Sequence, residues 1–175
     1  MVALMITGLA GVALAEEEQQ SGEEQRRTVD PLAEEVVLFD GEVRIPRPSG
    51  WEIVKPGDKA VAKFRSTGDD HSQIEVRVSD SVSESRWERY WRAFDTNLRR
   101  AGFDILRPRM MQSYGGKGGL AFEYRLEQAE GEYFLLQVWH THHRDRAWIF
   151  SGFYPAERRQ AYGADFINVL EQIEW

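Results

Sequence analysis

The sequence predicts an α+β fold, in which a mainly antiparallel sheet of about six strands is covered by two long amphipathic helices. Three observations support this prediction. Apolar and polar residues alternate through most of 36–78, which is the period of half-buried strands. A stripe with helical spacing follows in 87–101, and alternating aromatic segments then lead into a second helical stripe. Strands that pair with their neighbours and are covered by helices form an α/β/α sandwich.

The N-terminal half is predicted to be an antiparallel meander. Short alternating segments occur at 43–45, 51–53, 60–66 and 74–78. Prolines and glycines separate the first segments, and the polar cluster 67–70 is typical of a hairpin turn. Each strand has one polar face, so we expect a sheet with its apolar face toward the core.

The first helix is predicted between Ser81 and Gly102. Its apolar residues recur three and four positions apart and lie on one stripe: Trp87, Tyr90, Trp91, Phe94, Leu98 and Ala101. The opposite face is charged, with arginines and acids interspersed. We therefore expect the aromatic stripe to pack on the sheet and the charged face to be solvated.

Three strands and a helix are predicted in the C-terminal third. The glycine-rich loop 115–119 precedes an alternating strand at 121–126, so it is interpreted as a tight turn rather than a dinucleotide-binding loop. Two long aromatic strands follow at 133–142 and 147–154. The last helix begins near Pro155, and its stripe consists of Tyr162, Phe166, Val169, Leu170 and Ile173.

The first fifteen residues indicate export. Residues 1–15 carry no charged side chain and end in Ala13-Leu14-Ala15, which is typical of a secretory signal peptide. The alternative is an apolar N-terminal element of the domain. A membrane-spanning helix needs about 20 apolar residues, and this segment is shorter. We expect a mature chain that starts at Glu16, is periplasmic or secreted, and has no transmembrane span.

Charge divides the remaining chain into a linker and one domain. The net charge is −7, and residues 16–35 contribute eight acids against two arginines. This acidic segment has no apolar periodicity and is predicted to be a disordered linker. The domain, 36–175, is then nearly neutral and lacks the basic surface of a nucleic-acid-binding protein. The sequence contains no cysteine, which excludes disulfides, a thiol nucleophile and acylation of a lipoprotein cysteine.

Three histidines near a hairpin tip are the candidate metal ligands. His140 and His142 point to the same face of a strand about 7 Å apart, whereas His143 points to the other face. Two imidazoles on a rigid strand suit Zn²⁺ or Cu²⁺, although a tetrahedral site needs further ligands. Arg144 and Arg146 would repel a cation. The other interpretation is that these are surface histidines whose titration makes a partner interaction sensitive to pH.

Local motifs do not indicate catalysis. The sequence contains no G-x-S-x-G nucleophile elbow and no H-E-x-x-H zinc helix. A Ser-His-Asp arrangement is recognised by geometry, and no local pattern nominates one. The prediction is therefore a protein that is not an enzyme and holds no cofactor, with an unrecognised hydrolase as the remaining catalytic alternative.

The order of elements resembles the PsbP-like and DcrB-like superfamily of exported α/β/α sandwich domains. The matching residues are Gly41–Pro46 (GEVRIP) and Gly50-Trp51, followed by the helix after Ser81, the Gly119 strand, the hairpin Phe134–Phe153 and the closing helix. The resemblance implies an accessory or binding role rather than catalysis. Since members of the superfamily have diverse roles, the fold does not select among functions.

We therefore predict an exported, non-enzymatic binding or accessory module of the bacterial cell envelope, with an envelope protein as its partner. Its function is expected on strand ends and loops, namely 115–119 and 140–146. The alternative function is a periplasmic metal-binding protein that uses the His-x-His strand.

Overall fold

A computed structural model of the protein describes residues 34–57, 59–79 and 83–175. The predicted signal peptide and nearly all of the predicted linker lie outside the described residues. Glu35, the last residue of the predicted linker, is the first residue of a strand.

Nine strands and two α-helices make up the described chain. The strands are β1 (Glu35–Leu38), β2 (Val43–Pro46), β3 (Trp51–Ile53), β4 (Ala62–Ser66), β5 (Gln73–Ser79), β6 (Asp104–Tyr114), β7 (Lys117–Ala129), β8 (Glu132–His143) and β9 (Arg146–Pro155). The helices are α1 (Glu84–Arg100) and α2 (Arg159–Glu171). No helix in the described ranges combines the length and apolarity required to cross a bilayer.

Seven strands form one antiparallel sheet in the order β3-β4-β5-β9-β8-β7-β6. Strands β1 and β2 form a separate hairpin, which is joined to the end of the chain by the bridge between Arg44 and Glu174. The long strands β7, β8 and β9 are consecutive in the chain and adjacent in the sheet, because tight turns connect them. The largest strands therefore lie in the half of the sheet that ends at β6.

Each face of the sheet has its own apolar core. Successive residues of a strand point to opposite faces, so Val138 packs under α1 and Trp139 packs under α2. The α1 core includes Trp91, Leu98, Phe122, Tyr124, Leu136 and Phe153. The α2 core includes Trp51, Phe64, Trp148, Phe150, Phe166 and Leu170, together with Leu38 and Ile45 of the β1–β2 hairpin.

The fold confirms the predicted α+β class, the antiparallel sheet and its two helices, with two corrections. The main sheet has seven strands rather than about six, because β6 was not predicted. The second helix is not long: α2 has 13 residues and follows a 3₁₀ turn at Ala156–Arg158. The first helix has 17 residues and matches the predicted region.

The edge strand β6 is poorly covered on both faces. Seven strands about 4.8 Å apart are much wider than a single helix, which has a diameter of about 10 Å. Helix α2 lies over the middle of the sheet, where Phe166 contacts Gly152 of β9. The large apolar side chains that the described part of the chain leaves exposed are Val37 and four residues of β6: Ile105, Leu106, Met110 and Met111.

Candidate functional site

A groove of about 200 Å³ separates β6 from α2. Met110, Gln112 and Tyr114 of β6 form one wall, and Phe166, Ile167 and Leu170 of α2 form the other. The floor consists of inward-facing residues of the neighbouring strands: Ala121, Glu123, Gln137 and Trp139. The groove exists because α2 does not reach the edge of the sheet.

A buried carboxylate lies at one end of the groove. Glu123 is only 4% exposed, although it lies on the penultimate strand. Its Oε2 atom is 3.0 Å from Nε of Arg107, and it accepts a 3.0 Å hydrogen bond from Nη2 of Arg159. Its Oε1 atom lies 2.9 Å from Nε of Arg159 without hydrogen-bond geometry. Two guanidinium groups thus face one carboxylate, and the cluster has a net charge of +1.

Two further polar groups are buried beneath α2 near this cluster. Oε1 of Gln137 and the hydroxyl of Tyr154 have no hydrogen-bond partner among the described residues. Both lie against Gly163, where a Cβ would be 3.0 Å from the Tyr154 hydroxyl oxygen and 3.5 Å from Oε1 of Gln137. Burial, followed by the charge of Glu123, raises the pKa of Tyr154, so its hydroxyl stays protonated.

The other end of the groove is closed by an aromatic contact. The Tyr114 hydroxyl donates a hydrogen bond to Oε1 of Gln112, and the Tyr114 ring lies 5.4 Å from the Trp139 ring with a steep interplanar angle. Burial raises the pKa of Tyr114, and Glu171 adds to the effect. The uncharged end of the groove, at Tyr114 and Gln112, is therefore opposite the charged end.

The tight turn predicted in the glycine loop 115–119 is present, but it is shorter than predicted, because 117–119 belong to β7. Gly115 and Gly116 alone connect β6 to β7, and both have positive φ angles, of 54° and 74°. Two consecutive residues with positive φ are typical of the type I′ hairpin turn, which favours glycine. A Cβ on Gly115 would also lie 3.1 Å from the carbonyl oxygen of Leu170. The loop thus positions β6 beside the end of α2.

The sheet separates His143 from the other two candidate metal ligands, His140 and His142. His140 is fully buried on the α1 face, where its ring lies 4.9 Å from Phe94 and 5.6 Å from Phe122. His142 shares that face by alternation, whereas His143 is on the other side, with its ring 5.0 Å from Trp175. Burial lowers the pKa of His140 to about 3, so its imidazole is neutral near pH 7.

The histidines do not form a site with other ligands in the described part of the chain. No group of three or more His, Asp or Glu side chains there is placed to hold a metal ion. Neither ring nitrogen of His140 has a hydrogen-bond partner among the described residues. A tetrahedral site needs four donors, so binding by His140 and His142 stays a prediction without a third protein ligand.

The groove was missed by sequence reasoning because β6 was missed. Residues 104–114 do not alternate, since both faces of an uncovered edge strand are exposed. Pro108 interrupts the segment, and the pairing with β7 shifts register between Ile105 and Met110. The sequence contains no signal of this polar site, because Glu123 alternates with Phe122 and Tyr124 and so falls on the face of the predicted strand expected to be solvated.

Comparisons with known proteins identify the fold. No family model matches the sequence, and no curated protein sequence matches it. The solution structure of cyanobacterial PsbP (CyanoP) from Synechocystis sp. PCC 6803 is 14% identical, with a TM-score of 0.57, and the match covers 79% of this chain and 89% of that one. LpqN, which is involved in cell envelope biogenesis of Mycobacterium tuberculosis, is 14% identical with a TM-score of 0.60, over 79% and 87% of the two chains.

A third structure, from Bacteroides thetaiotaomicron, is also 14% identical, with a TM-score of 0.56. Its match covers 81% of this chain but 47% of the Bacteroides chain, which is therefore the larger protein. All three matches share the layered architecture at low identity. The chain therefore has the PsbP-like fold, and the resemblance predicted from its sequence is confirmed at the level of the fold.

Proposed function

We propose that the protein is an exported, non-enzymatic accessory module of the bacterial cell envelope that binds its ligand in the groove between β6 and α2. The observation that supports this proposal is the coincidence of a cavity with exposed apolar side chains on one strand. Met110 and Met111 are 49% and 66% exposed, on opposite faces of β6. Exposed apolar side chains beside a cavity are typical of an interaction site, and Met110 is the one on the side of the groove.

The chemistry of the groove favours binding over turnover. Its lining is amphipathic: Met110, Phe166 and Leu170 are apolar, and Arg107, Glu123 and Gln137 supply polar groups that can orient a ligand. Glu123 is the carboxylate among the lining residues, and two arginines hold it in place. Both oxygens of this carboxylate face the two guanidinium groups, so it is engaged within the protein rather than directed at a bound ligand.

The proposed location rests on the N-terminal segment and on the fold. Residues 1–15 have the features of a secretory signal peptide. LpqN, one of the structurally similar proteins, is involved in cell envelope biogenesis. The similarity to LpqN supports an envelope role by analogy of fold. The groove between β6 and α2 is a separate ground for a binding role, because it is a site in this protein itself.

Binding of Nile red, an uncharged apolar fluorophore, tests the groove. We expect the full chain to increase Nile red emission and Ala121→Phe to abolish the increase, because the new ring fills the floor of the groove. Ser113→Phe is the matched control, since Ser113 is exposed on β6 and faces away from α2. Equal binding by wild type and Ala121→Phe, or no binding by wild type, would contradict the proposal.

A further inference from the structure

We infer that the groove binds a small amphiphile whose anionic oxygen head group is held by Arg107 and Arg159. This inference rests on the proposed function and adds the chemical class of the ligand. The head group is a carboxylate or a phosphate, since guanidinium groups bind both. The apolar part lies along Met110, Phe166 and Ile167.

The charge balance at the end of the groove favours an anion. Arg107 and Arg159 both lie 3.0 Å from the same oxygen of Glu123, so their guanidinium groups are neighbours. A single carboxylate cannot neutralise both groups. One positive charge is left beside an apolar groove, where an anionic ligand would complete the pairing.

Arg107 lines the groove, and Arg159 lies next to it on the same oxygen of Glu123. The contact of Arg107 with Glu123 is made through Nε. The side chain of Arg107 is 62% exposed and that of Arg159 is 43% exposed. Each guanidinium has five N–H donors. Donors that Glu123 does not use can therefore reach a ligand from the solvent side.

Glu123 acts as a positioning residue for the two arginines. It is 4% exposed and fixed on the floor of the groove, so its contacts limit the rotamers of both side chains. Long arginine side chains lose less conformational entropy on binding when they are already held. The buried carboxylate of Glu123 thus orients Arg107 and Arg159 toward a ligand that Glu123 itself does not contact.

The size of the groove limits the apolar part of the ligand. An engineered apolar cavity of about 150 Å³ binds benzene, and the groove measures about 200 Å³. A group slightly larger than benzene, such as a chain of about eight carbons, therefore suits it. Because the groove is open toward solvent between β6 and α2, a longer chain can extend outward.

Displacement of Nile red from the full chain by four compounds tests this inference. Octanoate and octyl phosphate present the two head groups on one chain, octanol has the chain without charge, and acetate has the charge without the chain. We expect octanoate or octyl phosphate to displace the dye at concentrations about tenfold or more below octanol, because hydrogen bonds to charged groups are the stronger ones. Acetate should not displace it. The ratio between octanoate and octyl phosphate identifies the head group.

Variants of the two arginines test whether these residues cause the preference for the charged compounds. We expect Arg107→Gln and the double variant Arg107→Gln/Arg159→Gln to retain Nile red binding and lose the preference for the charged compounds. Arg125→Gln is the control, since Arg125 lies on β7 outside the groove and pairs weakly with Asp104 at 3.9 Å. A cooperative urea-unfolding transition shows that each variant is folded.

Three results would overturn the inference, and they are distinguishable. If octanol displaces the dye as well as octanoate and octyl phosphate, the groove binds apolar ligands without recognising an anion, and the proposed function stands. If Arg107→Gln/Arg159→Gln keeps the preference for the charged compounds, these two arginines do not hold the head group, and the proposed function again stands. If the wild-type chain does not bind Nile red, the proposed function fails, and the inference fails with it.

Discussion

Gly119 on β7 lies against Trp139 on β8 so closely that no side chain fits between them. A Cβ atom on Gly119 would be 2.4 Å from Nε1 of Trp139 and 2.4 Å from the carbonyl oxygen of His140. Trp139 is fully buried and forms part of the floor of the groove. The missing side chain at Gly119 therefore permits the packing on which the groove depends.

Replacement of this glycine should destabilise the fold. We expect Gly119→Ala to lower the free energy of unfolding by about 1–3 kcal/mol, the usual cost of overpacking, because a backbone oxygen cannot move aside without shifting β8. Urea unfolding measures the change. In Gly118→Ala the added Cβ meets only Oγ of Ser113 at 4.0 Å, so that variant should change stability by less than about 0.5 kcal/mol. Equal losses in the two variants would contradict this explanation.

Glu123→Gln should also destabilise the protein. The substitution keeps the shape of the side chain and removes the charge that holds Arg107 and Arg159 together. Because hydrogen bonds to charged groups contribute about 1.5–3 kcal/mol and both arginines can partly rehydrate, we expect a loss of about 1–2 kcal/mol in urea unfolding. Glu52→Gln breaks the more exposed pair with Arg65 and should cost less than about 1 kcal/mol. A smaller effect at Glu123 than at Glu52 would show that the cluster does not stabilise the fold.

His140 should make the stability of the fold dependent on pH. Burial lowers its pKa from 6.5 to about 3 in the folded chain, so between these values the unfolded chain binds more protons. Stability is therefore complete above pH 6.5 and decreases as the pH falls toward 3. Between pH 7 and pH 5 this residue should contribute a loss of about 2 kcal/mol.

The variant His140→Phe should reduce that loss, as measured by urea unfolding at the two pH values. The exposed His71 supplies the control variant, His71→Gln, which should retain the wild-type difference. An unchanged difference in His140→Phe would show that other groups determine the pH dependence.

Zinc titration tests the alternative function. We expect isothermal titration of the full chain with Zn²⁺ to show no specific binding, because the ring of His140 is enclosed by Phe94 and Phe122. The double variant His140→Ala/His142→Ala is the comparison. Micromolar binding by the wild type that disappears in this variant would support metal binding and require α1 to move away from β8.

Export can be tested by intact mass. We expect the protein recovered from the envelope fraction of cells that express the full chain to begin at Glu16, since the A-x-A site ends at Ala15. Replacing Ala13 and Ala15 with Gln should block the cleavage, because the site requires small residues. A mass that begins at Met1 would exclude the cleavage site, and recovery only from the cytosol would exclude export.

Periodic patterns in the sequence were sufficient to predict the helices and strands that bury one face. The helical stripe at Trp87, Trp91 and Leu98 predicted α1, and alternation predicted the strands around Trp51, Ile74 and Trp139. Gly115 and Gly116 predicted the turn before β7. These predictions succeeded because an element that is buried on one side has apolar residues that recur with the period of that element.

The groove could not be predicted in this way, since it arises where two elements fail to cover a third. Strand β6 is exposed on both faces and has no period, and Glu123 faces the α2 side of the sheet by alternation with Phe122 and Tyr124. The pairing of Glu123 with Arg107 and Arg159 joins residues 16 and 36 positions apart. The sequence by itself determined the α+β class, the helix α1, the turns and the strands with one apolar face. The tertiary structure alone decided which strand lies at the edge, how far α2 extends over the sheet and which charges meet, because these depend on long-range packing rather than on local period.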